Sequence, residues 1–291
     1  MNAPQSLRNV AVLGTGIMGA PMALRLANAG FRVSAWNRSP AKAEVLREHG
    51  VMPVSTAADA VRDADVVICM LSSGPVCEAV LGGADGAIAR MRRDATLVVM
   101  SSIPIDTAIA IARDAEGRGI ACLDAPVSGG ELGAKEGRLA IMVGGAADFV
   151  DRLAPVFAAL GRVTHVGPSG SGALTKLANQ LVVASTICAV AEALTLVEAG
   201  GADPARVREA LLGGFADSTV FRQHGLRMVE GNFRPGGPAK YQVKDTSTAL
   251  RFARSHGLKL PVGEEVDRVN RSPARARAVL HMKRVVVQDA E

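Results

Sequence analysis

Three polar side chains interrupt an otherwise apolar stretch of the chain in a pattern that can support chemistry. Lys176, Asn179 and Gln180 stand at positions i, i+3 and i+4, so they share one face if the segment is helical. A lysine near the start of such a helix has two explanations: its stem carries the amine out to water, or the amine lines a cleft and transfers protons. The second explanation makes Lys176 the candidate catalytic residue, with Asn179 beside it.

A glycine-rich string near the start of the chain has the spacing of a dinucleotide-binding turn. In G-x-G-x-x-G the first glycine permits a tight turn, the second lets the backbone approach a pyrophosphate, and the third lets a helix pack on a strand. The string alone would also suit an ordinary turn, but its place between a predicted strand and a predicted helix indicates a cofactor site. The residues are Gly14, Thr15, Gly16, Ile17, Met18 and Gly19.

The end of the second predicted strand bears on the choice between NADP and NAD. Enzymes that use NAD usually have an acidic residue about 20 residues after the glycines, where it binds the ribose 2′-hydroxyl. This chain has Asn37, followed by Arg38 and Ser39. A neutral residue beside a guanidinium suits a 2′-phosphate, which a carboxylate would repel. We therefore expect NADP, with NAD as the alternative; otherwise Arg38 is a solvated surface base.

Two further groups of residues have weaker patterns of their own. Ser128, Gly129 and Gly130 follow a predicted strand, and their amides and hydroxyl can hold a carboxylate, although the same residues also suit a plain turn. Lys244 and Asp245 begin a helical pattern and, taken alone, indicate surface charge.

The first 166 residues predict the elements that position these groups. Short β-rich apolar runs alternate with helical patterns, which is typical of an α/β, Rossmann-type, doubly wound parallel sheet covered on both faces. The predicted strands are 9–13, 31–36, 65–71, 96–100, 119–127, 139–143 and 162–166, and the predicted helices are 21–29, 40–49, 105–118 and 147–160.

The alternation stops at the hinge-like segment 167–172, and only helical patterns follow. We therefore expect a Rossmann domain at 1–166 and an all-α domain at 167–291, joined by one long helix at 173–199, with the active site in the cleft between them. Asp203 before Pro204 predicts the N-cap of the next helix. A small helical domain can hardly cover so long an apolar helix, so a homodimer or homotetramer is expected.

Composition and charge argue against several classes of function. The net charge is +5, but residues 268–291 hold six basic and two acidic residues and so account for +4 of it. Because the rest is nearly neutral and aromatic residues make up 3%, we expect no nucleic-acid partner. Asn179, Gln180 and Glu192 interrupt the apolar stretch 177–197, which favours burial against protein over a membrane span. The four cysteines lack a CxxC spacing and a nearby histidine cluster, which indicates buried reduced thiols and no metal site: Cys69, Cys77, Cys122 and Cys188. Residues 1–10 lack the apolar core of a signal peptide, so a cytoplasmic protein is expected.

These motifs together resemble the β-hydroxyacid dehydrogenase family over about residues 8–265. The glycine string continues into Ala20-Pro21-Met22-Ala23, the substrate motif resembles residues 124–130, the G-x-x-x-K-x-x-N motif resembles residues 172–179, and the K-D pair matches 244–245. The resemblance implies that Lys176 is the general acid in reduction and that Asn179 supports it. It implies that Ser128, Gly129 and Gly130 hold the substrate carboxylate. It also implies cofactor contacts from Leu71, Ser72, Ser101 and Lys244.

Within the family, segments 100–103, 175–180, 192–196 and 218–220 look most like 2-hydroxy-3-oxopropionate (tartronate semialdehyde) reductases. Related 3-hydroxyisobutyrate dehydrogenases and other semialdehyde or glyoxylate reductases share the core motifs. The substrate implied is a small aldehyde or hydroxy acid that bears a carboxylate. The Arg- and Ala-rich tail 268–291 departs from the family's Gly-rich acidic ending, and Pro273 disfavours a helix through that point. A non-catalytic dinucleotide-binding module is the alternative of another class.

Overall fold

The computed structural model describes residues 7–232 and 239–271. The chain divides into two compact units, Met1–Lys176 and Leu177–Glu291, and the division falls inside the long helix rather than at its start. The first unit holds the sheet and its helices. The second consists, in its described part, of helices and the turns that connect them.

The strands of the first unit are β1 (Asn9–Leu13), β2 (Arg32–Trp36), β3 (Val51–Pro53), β4 (Val66–Cys69), β5 (Thr96–Val99), β6 (Ala121–Asp124), β7 (Val127–Ser128), β8 (Leu139–Gly144) and β9 (Gly161–Gly167). All seven predicted strands are confirmed: β1 has the predicted bounds, β2, β4, β5 and β6 are shorter, and β8 and β9 are slightly longer. The short strand β3 was not predicted. The predicted strand 119–127 is shorter, because pairing breaks at Ala125-Pro126 and resumes as β7.

The first six strands lie in the order β3-β2-β1-β4-β5-β6, and every pair among them is parallel. This is the order of a doubly wound Rossmann sheet, whose direction of winding reverses between β1 and β4. The predicted parallel sheet is confirmed over these six strands, and the structure adds an antiparallel pairing at one end. Strand β8 runs antiparallel to β6 and β7, and β9 then pairs with β8 in parallel. The chain turns back there through a short helix instead of crossing over.

The helices of this unit are α1 (Gly19–Asn28), α2 (Ala41–Glu44), α3 (Ala57–Val61), α4 (Gly74–Leu81), α5 (Ile105–Gly117), α6 (Gly130–Glu136), α7 (Ala147–Arg152) and α8 (Ala154–Leu160). The predicted helix 147–160 is broken in two, because Pro155 lacks an amide proton and fits only in a first turn. The predicted helix 40–49 ends at Glu44, and a 3₁₀ turn at Arg47–His49 follows it.

The core explains why the sheet forms. All residues of β4 and β5 are buried, as expected for central strands covered on both faces. Helix α1 contributes Met22 and Leu26, which are one turn apart and fully buried against β1. All four cysteines are buried thiols outside any disulfide, as predicted. A hydrogen bond with Cys77 and burial raise the pKa of the Cys69 thiol. Because a raised pKa disfavours the thiolate, these two cysteines are part of the core and Cys69 is not a nucleophile.

The remaining helices are α9 (Ser171–Ala199), α10 (Pro204–Leu211), α11 (Leu226–Glu230), α12 (Ala239–Ser255) and α13 (Pro261–Arg271), with a π-helical turn at Phe221–Gly225. Asp203 caps α10 through its side chain, as predicted, at 2.9 Å from the Ala205 amide. By length and composition α9 alone, among the described helices, is apolar enough to cross a membrane. Residues 268–271 form the last turn of α13, and Pro273 with the rest of the tail lies outside the described residues.

Candidate active site

The glycine string forms the turn between β1 and α1, as the sequence predicts. A Cβ atom at Gly14 would lie 2.4 Å from the Met70 carbonyl oxygen, and one at Gly19 would lie 1.8 Å from the Gly14 carbonyl oxygen. Both positions therefore require glycine for packing of the protein itself. Gly16 is different, because a Cβ there would meet no atom within 4 Å. The open side of Gly16 fits the approach of a dinucleotide's phosphates to the backbone.

The other residues of this turn differ in exposure. Ile17 is 56% exposed, and Met18 is half-buried. The hydroxyl of Thr15 is buried and has no hydrogen-bond partner among the described residues. A buried hydroxyl of this kind at the turn is a further feature that fits a bound ligand, since buried polar atoms usually have partners.

Asn37 connects the glycine turn to the end of β2. Its Oδ1 atom accepts a hydrogen bond from the Thr15 amide at 3.1 Å, and its Nδ2 atom donates to the Ser39 carbonyl oxygen at 3.1 Å. The side chain of Asn37 therefore braces the turn. Arg38 and Ser39 are exposed beside it. Of the three predicted residues, Arg38 is the one whose side chain is placed to meet an anion from solvent.

Leu71, Ser72 and Ser101 lie after neighbouring strands, at the carboxyl edge of the sheet where the string also lies. The Ser101 hydroxyl is buried, accepts from the Leu71 amide at 2.7 Å and donates to the Cys69 carbonyl oxygen at 3.2 Å. Its structural role is thus to hold the Leu71 segment in place. Leu71 is half-buried and Ser72 is exposed, so these two residues present the outer surface of that segment.

The predicted carboxylate loop connects β7 to α6. Ser128 is half-buried, and Gly129 and Gly130 are exposed. Both glycines have positive φ, 130° and 63°, which side-chain-bearing residues rarely adopt. The resulting turn exposes successive backbone amides beside a serine hydroxyl, an arrangement that suits an anion.

Lys176 lies in the second turn of α9 and is half-buried. Its Nζ atom donates to the Val127 carbonyl oxygen at 2.8 Å. Val127 directly precedes the carboxylate loop, so the structure brings Lys176 and the Ser128 segment together. The side chain of Lys176 does not simply extend its amine into water, because the amine donates to a backbone carbonyl at the end of a strand.

Asp124 completes this region, and sequence reasoning assigned no role to its side chain. The carboxylate is buried and accepts from the amides of Gly170 and Ala173 at 2.8 and 2.7 Å. Burial raises the pKa of this carboxyl, and the hydrogen bonds from Ala173 and Gly170 limit the rise. The signal in the sequence was its position at the end of a strand, two residues before Pro126.

Within the second unit, a chain of hydrogen bonds connects Asn179 with Lys244. The Asn179 amide donates to Gln180 Oε1 at 2.9 Å, and Gln180 Nε2 donates to Asp245 Oδ2 at 3.0 Å. The other oxygen of Asp245, which is buried, lies 3.2 Å from Lys244 Nζ. The sequence offered Gln180 and Asp245 only as neighbours of the predicted residues. In the structure the side chain of Gln180 bonds to Asn179, and that of Asp245 pairs with Lys244.

Comparisons with known proteins agree with this geometry. Residues 9–167 match the model described as the NAD binding domain of 6-phosphogluconate dehydrogenase. Residues 170–281 match the model described as NAD-binding of NADP-dependent 3-hydroxyisobutyrate dehydrogenase. A 2-hydroxy-3-oxopropionate reductase of Escherichia coli is 43% identical over 251 residues, which are 86% of this chain and 85% of the relative. A 3-hydroxyisobutyrate dehydrogenase of Pseudomonas aeruginosa is 37% identical over 265 residues, 88% of this chain and 89% of the relative.

The chain belongs to the β-hydroxyacid dehydrogenase family related to 3-hydroxyisobutyrate dehydrogenase. A solved 3-hydroxyisobutyrate dehydrogenase from Mycobacterium tuberculosis, a complex with L-serine, has a TM-score of 0.84 and 30% identity, and the match covers 96% of this chain and all of that one. The predicted family and fold are therefore confirmed. As a member of this family the chain is an NAD(P)-dependent oxidoreductase that acts on hydroxy acids. The match to residue 281 extends past Arg268, where the tail was expected to depart.

Proposed function

We propose that this family member is an NADPH-dependent reductase of a small semialdehyde that bears a carboxylate, with 2-hydroxy-3-oxopropionate as its preferred substrate. The observation that carries the proposal is the position of the Lys176 amine, 2.8 Å from the Val127 carbonyl oxygen and next to the Ser128 loop. The similarity to the E. coli reductase supports this substrate. Oxidation of the corresponding hydroxy acid is the reverse reaction.

Different residues bind the substrate and transfer the proton. NADPH, when bound, supplies the hydride. The Ser128 hydroxyl and the amides of Gly129 and Gly130 hold the substrate carboxylate. Lys176 protonates the aldehyde oxygen as it becomes a hydroxyl, and its three N–H groups allow one to stay on Val127 while another faces the substrate. Asn179, one turn later on the same helix, supports the amine.

The cofactor is held at the carboxyl edge of the sheet. We assign the pyrophosphate to the glycine turn from Gly14 to Gly19, and the 2′-phosphate to Arg38 with Ser39, while Asn37 braces the turn. Leu71 and Ser72 border the cofactor, and Ser101 supports them from beneath. We assign Lys244 to the cofactor from the family resemblance. The absence of a carboxylate at position 37 supports NADPH over NADH.

The domain roles, assembly and location complete the proposal. Residues 1–166 bind the cofactor, and residues 167–291 serve substrate binding and dimerisation. Val182 and Leu196 on α9 are 66% and 72% exposed, and Val262 on α13 is 67% exposed. Apolar surface of this kind supports a homodimer or homotetramer. Four buried reduced thiols support a cytoplasmic location, and nothing in the charge pattern calls for nucleic acid or a membrane.

A substrate panel tests the proposal. Oxidation of NADPH is followed by absorbance with tartronate semialdehyde, methylmalonate semialdehyde, succinate semialdehyde, glyoxylate and a cyclic imine. The highest kcat/KM is expected with tartronate semialdehyde. A preference for methylmalonate semialdehyde would make the protein a 3-hydroxyisobutyrate dehydrogenase instead. No turnover with any substrate, together with tight NADPH binding, would indicate a non-catalytic dinucleotide-binding module.

A further inference from the structure

We infer that Asp124 is a positioning residue for proton transfer, because its buried carboxylate sets where Lys176 stands relative to the Ser128 loop. The inference rests on the proposed role of Lys176 and extends it. The Asp124 carboxylate bonds to main-chain amides, those of Gly170 and Ala173, and not to the reacting atoms. It acts through the first turn of α9.

The carboxylate holds the start of the helix with both oxygens. Oδ1 accepts from the Gly170 amide at 2.8 Å and Oδ2 accepts from the Ala173 amide at 2.7 Å. The first amides of a helix have no partner within the helix and carry a partial positive charge. An anion that binds one of them, that of Ala173, together with the amide of Gly170 just before the helix is a strong anchor. Asp124 is only 4% exposed, so water competes little for these bonds.

Two glycines pack so closely against Asp124 that a side chain at either position would displace the backbone. A Cβ atom at Gly144 would lie 2.5 Å from Asp124 Oδ1, and one at Gly172 would lie 2.3 Å from the Asp124 carbonyl oxygen. The backbone at the end of β8 and in the first turn of α9 therefore packs directly on Asp124. The position of the helix start is set by close backbone contact as well as by hydrogen bonds.

Segment 124–127 also bonds to α9 one turn further along the helix. Val127, three residues after Asp124, accepts from Lys176 Nζ at 2.8 Å, and Lys176 is three residues after Ala173. Segment 124–127 thus fixes both the helix start and the lysine amine, and the Ser128 loop follows it directly. Proton transfer needs heavy atoms about 2.6–3.2 Å apart. A shift of about 1 Å in the helix would move the amine out of that range.

The test compares Asp124→Asn with Asp65→Asn in the full-length enzyme. The Asn side chain at position 124 keeps one acceptor oxygen, but its NH₂ group faces one of the two backbone amides, that of Gly170 or that of Ala173. Two donors then face each other, which should displace the start of the helix. Asp65 is the matched control, because its carboxylate also binds two backbone amides, those of Arg8 and Asn9 at 2.9 Å, but at the opposite edge of the sheet.

Asp124→Asn should lower kcat by roughly 10- to 100-fold, the scale expected for misplacement of a reacting group. The solvent deuterium isotope effect on kcat should increase, because proton transfer becomes slower than the other steps. The dissociation constant of NADPH should stay near the wild-type value. Asp65→Asn should change the melting temperature but neither kcat nor the isotope effect.

The outcomes separate this inference from the proposed function. If wild-type enzyme reduces a semialdehyde and Lys176→Ala does not, while Asp124→Asn keeps wild-type kcat and isotope effect, the positioning role is wrong and the proposed function stands. If wild-type enzyme reduces nothing, the proposed function is wrong. Asp124→Ser, which keeps a single hydroxyl acceptor, is the second variant. Failure of both variants to fold would assign Asp124 to stability alone and would also overturn the inference.

Discussion

The Lys176 amine donates to the Val127 carbonyl oxygen at 2.8 Å, and this one bond joins the long helix α9 to the strand end that leads into the Ser128 loop. Both partners lie in the first unit of the chain. The proposed proton donor and the proposed carboxylate site therefore belong to the same compact unit. Their separation does not depend on how the second unit is placed.

The first prediction concerns the proton donor. Lys176→Ala should lower kcat by roughly 10²- to 10⁴-fold, the usual scale for a lost acid–base group, while NADPH binding stays nearly intact. Steady-state kinetics and fluorescence titration measure the two effects, and added alkylamines should restore part of the turnover. Lys135→Ala is the control, because Lys135 is exposed and paired with Glu131. Wild-type turnover in the Lys176 variant would show that the role assigned to this amine is wrong.

The second prediction separates the packing glycines from the binding glycine. Gly16→Ala should fold normally and gain roughly 0.4–1 kcal/mol of unfolding free energy without cofactor, because Cβ meets open space there. Its affinity for NADPH should fall at least about tenfold, or about 1.4 kcal/mol. Thermal melts with and without NADPH measure both effects. Gly14→Ala should instead destabilise the protein without cofactor, since its Cβ would strike Met70. Full NADPH affinity in Gly16→Ala would argue against a cofactor at this turn.

The third prediction concerns cofactor choice. Arg38→Ala should raise the KM for NADPH roughly tenfold, because a charge-assisted hydrogen bond to phosphate contributes about 1.5–3 kcal/mol before solvent screening reduces it. The KM for NADH should barely change. Arg118→Ala, which removes an exposed arginine paired with Asp114 after α5, should affect neither. Equal effects of Arg38→Ala on both cofactors would contradict the 2′-phosphate assignment.

The fourth prediction concerns the bonds that orient Asn179. Gln180→Glu keeps an oxygen for the Asn179 amide but places a second carboxyl beside Asp245, 3.0 Å from the present Nε2 position. Two carboxylates at that distance repel unless they share a proton. The variant should therefore lose activity at neutral pH and recover part of it as the pH falls. Gln223→Glu, at an exposed position, is the control. A pH–rate profile parallel to that of wild type would exclude the orienting role.

The fifth prediction concerns stability against pH. Asp267 is buried, and although burial acts to raise its pKa, hydrogen bonds from Arg271, Ser247 and Thr246 lower it overall. A lowered pKa in the folded state stabilises the protein above the ordinary Asp value of about 3.9, and the benefit disappears as the pH falls through the lowered value. Asp267→Asn should thus cost about 1–3 kcal/mol at pH 7 and little in strong acid. Melting curves across pH measure the difference, and a constant difference would contradict the ionic origin.

The sequence by itself determined the Rossmann sheet and the glycine turn after its first strand, and it singled out Lys176 as the candidate proton donor. Apolar runs and glycine spacing are local signals, and the spacing of Lys176 and Asn179 follows from the helical repeat alone. Residue identity at position 37 likewise indicated NADP without any knowledge of contacts.

Only the tertiary structure decided what depends on residues far apart in the chain. The bonds from Asp124 to Gly170 and Ala173 join positions 46 and 49 residues apart, so no local pattern contains them. The reversal of β8 was missed for the same reason, since strand direction depends on the path of the chain between strands. The glycine string predicted separate roles for Gly14 and Gly16, but only the structure shows that a Cβ at Gly14 would meet the Met70 carbonyl oxygen while one at Gly16 would meet open space.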